Sequence, residues 1–265
     1  MTDGRPLIND DSSTLASQTE KLEAVFISDL HLNPDDSIIT ERFERFILWA
    51  AQHTRTLYIL GDFFHVWSGD DSIDAWSHGI IQRLAWLNEQ GVKTYFMAGN
   101  RDFLLGDTFA THAKVQILAE PCVITLGQER CLLVHGDRYC TKDRSHQRLM
   151  RLTRNRLFAR LFLRLPLTIR SRLVDRLRQS SQNNRSKSMT KMNVVVSAML
   201  NHMRQFDVNT VIHGHTHQPG LKHYMVKQKT CHQYVLSDWD DNPLLLCYDI
   251  THGLYFNRFL GNTNG

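Results

Sequence analysis

"AVFISDLHL" (residues 24–32) holds the pattern on which the fold turns. Ala24, Val25, Phe26 and Ile27 form a short apolar run, of the kind a strand buried on both faces requires. The run then breaks into Asp29 and His31, whose i, i+2 spacing places both on one side of an extended segment. Four further stretches repeat it: "LYILGD" (57–62) ends at Asp62, "TYFMAGN" (94–100) at Asn100, "CLLVHGD" (131–137) at His135, and "TVIHGHTH" (210–217) at His215 and His217. Glycines at 61, 99, 136 and 214 permit tight backbone turns beside these polar groups.

Helical patterns lie between the strands. In "ERFERFILWAA" (41–51), Phe43, Phe46, Ile47 and Ala50 share one face. Strand–helix alternation predicts an α/β (α+β) fold with covered sheets. Residues 115–135 read as a hairpin around Gly127, and 244–259 as another turning at His252–Gly253. With 265 residues, 42% of them hydrophobic, the chain can bury one substantial core. Residues 1–22 are polar, without the apolar core of a secretory signal, and read as a disordered leader to a single domain over 23–265. No apolar run reaches the ~18 residues of a membrane span. The five cysteines form no CxxC pair and fit reduced thiols in a cytoplasm.

The strand-end residues number two Asp, one Asn and four His, without sulfur. That is too many ligands for one ion and suits two, ~3.5–4 Å apart and sharing a carboxylate. Mixed imidazole and carboxylate donors favour Mn, Fe or Zn over Ca or Mg. His65 and His213 read as packed or hydrogen-bonded side chains. Asp102 and Asp137 read as groups that orient ligands.

The series Asp29-x-His31, Gly61-Asp62, Gly99-Asn100, His135-Gly136-Asp137 and Gly214-His215-x-His217 resembles the calcineurin-like metallophosphoesterases over about residues 23–220. The resemblance implies a two-sheet β-sandwich flanked by helices and a bridged dinuclear centre. Asp29, His31, Asp62 and His217 would hold one metal. Asp62, Asn100, His135 and His215 would hold the other, with Asp62 bridging.

Most members carry His after Gly-Asn, and this chain carries Arg101. Arginine does not release a proton at neutral pH, so it suits a leaving group that needs charge stabilised, such as a phosphate. Cleavage of a pyrophosphate is one reading; an ordinary phosphodiesterase with a phosphate-binding arginine is the other. "LGDFFHVWSGDD", "GNRDFLLG", "HGDRYCTKD", "SQNNRSKS" and "IHGHTHQP" are similar to the branch that hydrolyses UDP-2,3-diacylglucosamine in lipid A biosynthesis. That likeness implies two Mn²⁺ ions, a hydroxide between them attacking the α-phosphorus, and UMP and 2,3-diacylglucosamine 1-phosphate (lipid X) as products. Asp62, Asn100, Arg101 and His135 would be catalytic. Asn100, Arg101, Asp143, Ser180, Asn184, Lys187 and His215 would contact substrate. Arg185, where small polar residues are usual, departs from the branch.

From Arg138 to Lys187, thirteen Arg and two Lys face two Asp, a net +13 that leaves −9 for the rest of a chain of total charge +4. This stretch reads as a helical insertion, or lid, at about 141–188, broken at Pro166. Leu149, Leu152, Phe158, Leu161, Phe162 and Leu165 lie among Arg148, Arg151, Arg154, Arg160 and Arg164. Such helices can lie on a membrane or cover acyl chains, or simply pack their leucines on the core. The first use places a monomer peripherally on the cytoplasmic face of the inner membrane. The charge also admits an enzyme of nucleotides or nucleic acid, although no aromatic platform favours nucleic acid. A non-catalytic scaffold would be expected to lack ligands, and all seven are in place.

Overall fold

The computed structural model describes residues 21–174, 176, 193–239 and 242–259. One sheet has the order β11-β10-β1-β2-β3-β4 and the other β5-β6-β7-β9-β8. The first comprises β1 (Ala24–Ile27), β2 (Thr56–Leu60), β3 (Lys93–Met97) and β4 (Gln116–Leu118), all parallel, closed by the antiparallel hairpin of β10 (Leu244–Asp249) and β11 (Gly253–Arg258). The second starts with the hairpin β5 (Cys122–Leu126) and β6 (Glu129–Leu133) and continues through β7 (Thr210–His213), β9 (Lys229–Val235) and the edge strand β8 (Gly220–Val226).

Three apolar layers hold the sandwich together. Phe26, Leu60, Met97 and Leu246 of one sheet meet Leu126, Leu133, Ile212 and Tyr234 of the other. Helices α1 (Ser37–His53), α2 (Ala75–Glu89) and α3 (Asp107–Ala113) cover the outer face of the first sheet. Helix α7 (Val196–Gln205) covers the second through Met199 and Met203. The expected sandwich flanked by helices is the observed fold, and the buried residues of α1 are Phe43, Phe46, Ile47 and Ala50, as its periodicity predicts.

Three features differ from the sequence reading. Lys21 and Leu22, assigned to the leader, already belong to the fold: Lys21 Nζ donates to Ala51 O at 2.8 Å, and Leu22 bridges to Thr54. Strands β8 and β9 went unread, and the hairpin read over 115–135 is shorter, formed by β5 and β6 alone, because β4 pairs with β3 in the other sheet. The β8–β9 turn is made by Lys227 and Gln228 at φ of 45° and 69°, so the usual Asn-Gly signal is absent from the sequence. The insertion, expected to break once at Pro166, breaks twice, giving α4 (Arg144–Thr153), α5 (Arg156–Leu163) and α6 (167–174). Asn155 caps α5, accepting from the backbone N–H of Leu157 and Phe158 at 2.9 and 3.3 Å. Pro166 leads into α6, where its missing N–H costs nothing.

The insertion is docked on the domain. Ala159 and Phe162 of α5 pack against the first core layer. Arg170 of α6, 1% exposed, reaches Ser68 O and the Asp71 carboxylate.

Phe46 is fully buried and its ring meets Trp49, Trp239 and Phe259 at centroid distances of 5.9, 5.2 and 5.7 Å. We expect Phe46→Ala to cost ~3–5 kcal/mol, read as a lowered urea midpoint with an unchanged slope; a loss under 1 kcal/mol would disprove this packing.

Candidate metal centre

At the carboxyl ends of its strands the backbone turns left-handed on polar residues. Asp29, His31, Asp62, His215 and His217 all lie at φ between 52° and 69°. Side chains rarely tolerate that region, and clusters of such residues mark sites where conformation is imposed by the surroundings. Main-chain bonds impose it here: Asp29 N donates to Gly61 O, and His31 N to Asp62 O, both at 3.0 Å. The loops also touch without side chains between them. A Cβ on Gly61 would lie 2.6 Å from Gly99 Cα, and one on Gly99 would collide with the Asp62 carboxylate. Only glycine lets these two loops approach so closely.

Two groups of ligand atoms result. Asp29, His31 and His217 converge within 4.8 Å of one another, as do Asp62, His135 and His215. Asn100 joins the second group, its Oδ1 lying 3.0 Å from His135 Nε2. All seven residues expected to hold metal are therefore brought together.

The nitrogens are aimed inward. His135 Nδ1 sits 2.9 Å from Leu60 O and His217 Nδ1 3.1 Å from Asp238 Oδ2. Both partners only accept, so both Nδ1 atoms carry hydrogen and leave Nε2 to face the cluster. His217 Nε2 lies 3.5 Å from His31 Nε2 and 3.6 Å from Asp29 Oδ1. Asp29 Oδ2 accepts from Ser28 Oγ at 2.5 Å and from the His215 backbone at 2.8 Å, whereas Oδ1 is buried without a hydrogen-bond partner. A buried carboxylate oxygen among imidazole nitrogens fits a cation. So does the approach of His135 Nε2 to the Asn100 carbonyl oxygen, since two acceptors at 3.0 Å need a proton or a metal ion between them.

The electrostatics agree. Burial opposes charge on Asp29, yet His217, 3.6 Å from its Oδ1, and then His135 bring its carboxyl well below the usual range. Burial, aided by the Asp29 charge, raises Asp62 against the pull of His135 and Arg101. Burial and then Arg101 depress His31, leaving it neutral. Burial works against protonating His135 and His217, but Asp62 and Asp137 lift the first to about 9, and Asp238 and Asp29 lift the second to about 10.

Arg101 stands at the edge of the second group. Its Nε is 3.4 Å from Asp62 Oδ2, its backbone N–H donates to Asp62 Oδ1 at 3.0 Å, and its Nη1 lies 3.4 Å from His65 Nδ1. Asp102 accepts from Gly99 N at 2.6 Å and Phe63 N at 2.8 Å, so it fixes the loops that carry Asn100 and Asp62. His213 is buried against Gln233, whose Nε2 lies 2.7 Å from its Nε2. Asp143 precedes α4, while Ser180, Asn184 and Lys187 lie outside the described residues. Sequence reasoning missed Asp238, the partner of His217, and Glu120, which accepts from the His135 backbone at 3.1 Å. Asp238 follows β9, so recognising that strand would have exposed it by the rule that finds the other ligands.

The calcineurin-like phosphoesterase profile matches residues 23–219. A UDP-2,3-diacylglucosamine hydrolase of Proteus mirabilis (strain HI4320) is 42% identical over 216 residues, 81% of this chain and 90% of that protein. That of Aeromonas salmonicida (strain A449) is 41% identical, over 85% and 90% of the two chains. The enzyme of the same name from Pseudomonas paraeruginosa (strain DSM 24068 / PA7) is 40% identical, over 83% and 92%.

Binding a metal ion must displace the protons held by His135 and His217. Both groups are raised above the ordinary 6.5, to about 9 and about 10, so they compete with metal at neutral pH and cease to as pH rises. Divalent-metal affinity is expected to climb from pH 7 toward these values, with a calorimetric heat that varies with the buffer's ionisation enthalpy. A flat affinity and no buffer dependence would contradict the assignment.

Proposed function

The chain belongs to the calcineurin-like phosphoesterases and, within them, to the UDP-2,3-diacylglucosamine hydrolases, and we propose that it cleaves the pyrophosphate of UDP-2,3-diacylglucosamine to UMP and 2,3-diacylglucosamine 1-phosphate. Arg101 carries this reading: a guanidinium, 3.4 Å from Asp62, occupies the place beside the metal ligands where a proton donor would otherwise serve. The departing sugar phosphate is already a stable anion and requires no proton, only charge opposite its oxygens.

Two Mn²⁺ ions, one at Asp29, His31, Asp62 and His217 and one at Asp62, Asn100, His135 and His215, would polarise the phosphoryl oxygens and lower the pKa of water. The all-oxygen-and-nitrogen donor set favours Mn²⁺ over thiolate-bound metals. The protein's own groups do the rest. Leu60 O and Asp238 hold Nδ1 of His135 and His217 and so aim Nε2 of each at the cluster. The Asp62 ion pair holds the Arg101 fork toward the phosphates. Asn100, Asp143 and His215, with Ser180, Asn184 and Lys187, are proposed to contact the substrate.

A peripheral place, as a monomer, on the cytoplasmic face of the inner membrane is part of the proposal, and the insertion supports an acylated substrate at a membrane surface. Among the described residues no helix is long and apolar enough to cross a membrane. Helix α5 turns Ala159 and Phe162 to the core yet leaves Leu157 and Leu161 67% and 62% exposed. Packing on the core therefore does not account for its leucines. With exposed Leu152, Leu163 and Ile169 and the surrounding arginines, they form an apolar and basic face suited to acyl chains and anionic headgroups.

Hydrolysis of UDP-2,3-diacylglucosamine should require added divalent metal and stop with EDTA. Arg101→Ala should cut turnover ~10²–10³-fold, with bound metal unchanged and only partial rescue by Arg101→Lys; a near-native rate in the Ala variant would refute the leaving-group argument. Paired Leu157→Ser and Leu161→Ser should weaken flotation with anionic vesicles several-fold and spare hydrolysis of detergent-solubilised substrate. Unchanged flotation would remove the membrane assignment.

A further inference from the structure

Arg154 sits at the corner between α4 and α5 and bridges the insertion to the domain. Its Nη2 reaches two acids at once, Glu120 Oε2 and Asp137 Oδ1, the latter at 2.6 Å. Asp137 is fully buried, and the Glu120 side chain is 8% exposed. Both acids flank His135. Glu120 uses its other oxygen, Oε1, to accept the His135 backbone N–H at 3.1 Å, and Asp137 follows His135 by two residues. Gln147 of α4 reinforces the contact, its Nε2 donating to Asp137 O at 3.0 Å and Cys140 O at 3.3 Å.

We propose that Arg154 is a positioning residue that couples docking of the insertion to the second metal group, by neutralising Glu120 and Asp137 and so holding the His135 backbone in register with Asp62 and Asn100. The inference rests on the metal reading above. The reason is electrostatic. Two buried carboxylates beside each other repel, and the guanidinium that touches both holds them together; without it Glu120 swings away from Asp137. If Glu120 swings, its Oε1 leaves the His135 N–H, and the residue keeps only its Nδ1 bond to Leu60 O, its carbonyl bond from Gly214 N and the approach of Nε2 to Asn100. From Arg154 the link reaches His135 first; Asp29, His31 and His217 lie further along it, through Gly214 and His215, and are held besides by Ser28, Asp238 and the 61–62 loop. The larger effect therefore falls on the second metal group. Since Arg154 belongs to the insertion, displacing that element and loosening this group become one event.

Mn²⁺ binding to the full chain, followed by equilibrium dialysis and electron paramagnetic resonance, reads this without substrate. Loss of partners that orient a ligand typically weakens metal binding 10–100-fold. Arg154→Gln is expected to weaken one of two Mn²⁺ ions by that factor, replacing the exchange-coupled spectrum with that of a single ion. Glu120→Ala, which removes the acceptor of the His135 N–H, should match it, and Arg154→Lys should recover part of the loss. Arg160→Gln, an exposed charge on α5, should leave both ions bound as in the unaltered protein. Should Arg154→Gln fail to fold, Glu120→Ala and Arg154→Lys are read by the same criterion. Two ions bound with unaltered affinity, with only KM raised, would reduce Arg154 to a clamp for the insertion and overturn the proposal; so would equal weakening of both ions. A protein that shows the selective metal effect but does not hydrolyse the lipid nucleotide would count against the substrate alone.

Discussion

Negative charge buried at one end of the sandwich is the constraint to which the rest of the structure answers. Asp29, Asp62, Asp102 and Asp137 are each at most 2% exposed. Isolated carboxylates do not survive in such a place unless cations and hydrogen-bond donors compensate them. The compensation is distributed. Backbone N–H groups of Gly99 and Phe63 satisfy Asp102. Arg101 meets Asp62, Arg154 meets Asp137, and Ser28 with the His215 backbone meets one oxygen of Asp29. What remains is Asp29 Oδ1 and a set of inward-facing imidazole nitrogens, the part of the balance that divalent ions would complete.

The sandwich delivers these groups because strands of both sheets end at the same rim. Asp29, Asp62 and Asn100 come from one sheet, and His135, His215 and His217 from the other. The apolar layer between the sheets fixes their separation. Backbone left-handedness at five ligands shows that the layer imposes local geometry that the residues would not choose alone. The conformational cost at the rim is offset by packing of Phe26, Leu60, Leu133 and Ile212 behind it.

The insertion meets the same rim from outside. Arg154 and Arg170 tie its helices to Asp137 and to the loop at Ser68, whose neighbour Trp67 donates its backbone N–H to Arg101 O at 3.2 Å. An element that presents leucines to solvent is thus connected, through two arginines, to both His135 and Arg101. Under the proposed function, the element that would meet lipid is thereby joined to the residues that would act on phosphate.

By itself the sequence determined the sheet-and-helix class, the inward face of α1, the hairpin over 244–259, the turn at Gly127 of the other hairpin and all seven metal-ligand candidates. These rest on periodicity and on polar residues placed at the ends of apolar runs, which are local properties. It did not disclose β8 and β9, because Lys227–Gln228 lacks turn chemistry, nor the second break in the insertion at Asn155. Only the tertiary structure decided which histidine nitrogens face the metals, since that depends on Leu60 O and Asp238, far from their partners in the chain. It alone also paired Arg154 with Glu120, thirty-four positions away, and left Leu157 and Leu161 outside. A helical pattern shows which residues share a face but not what lies opposite that face, and burial is settled by the neighbours that folding supplies.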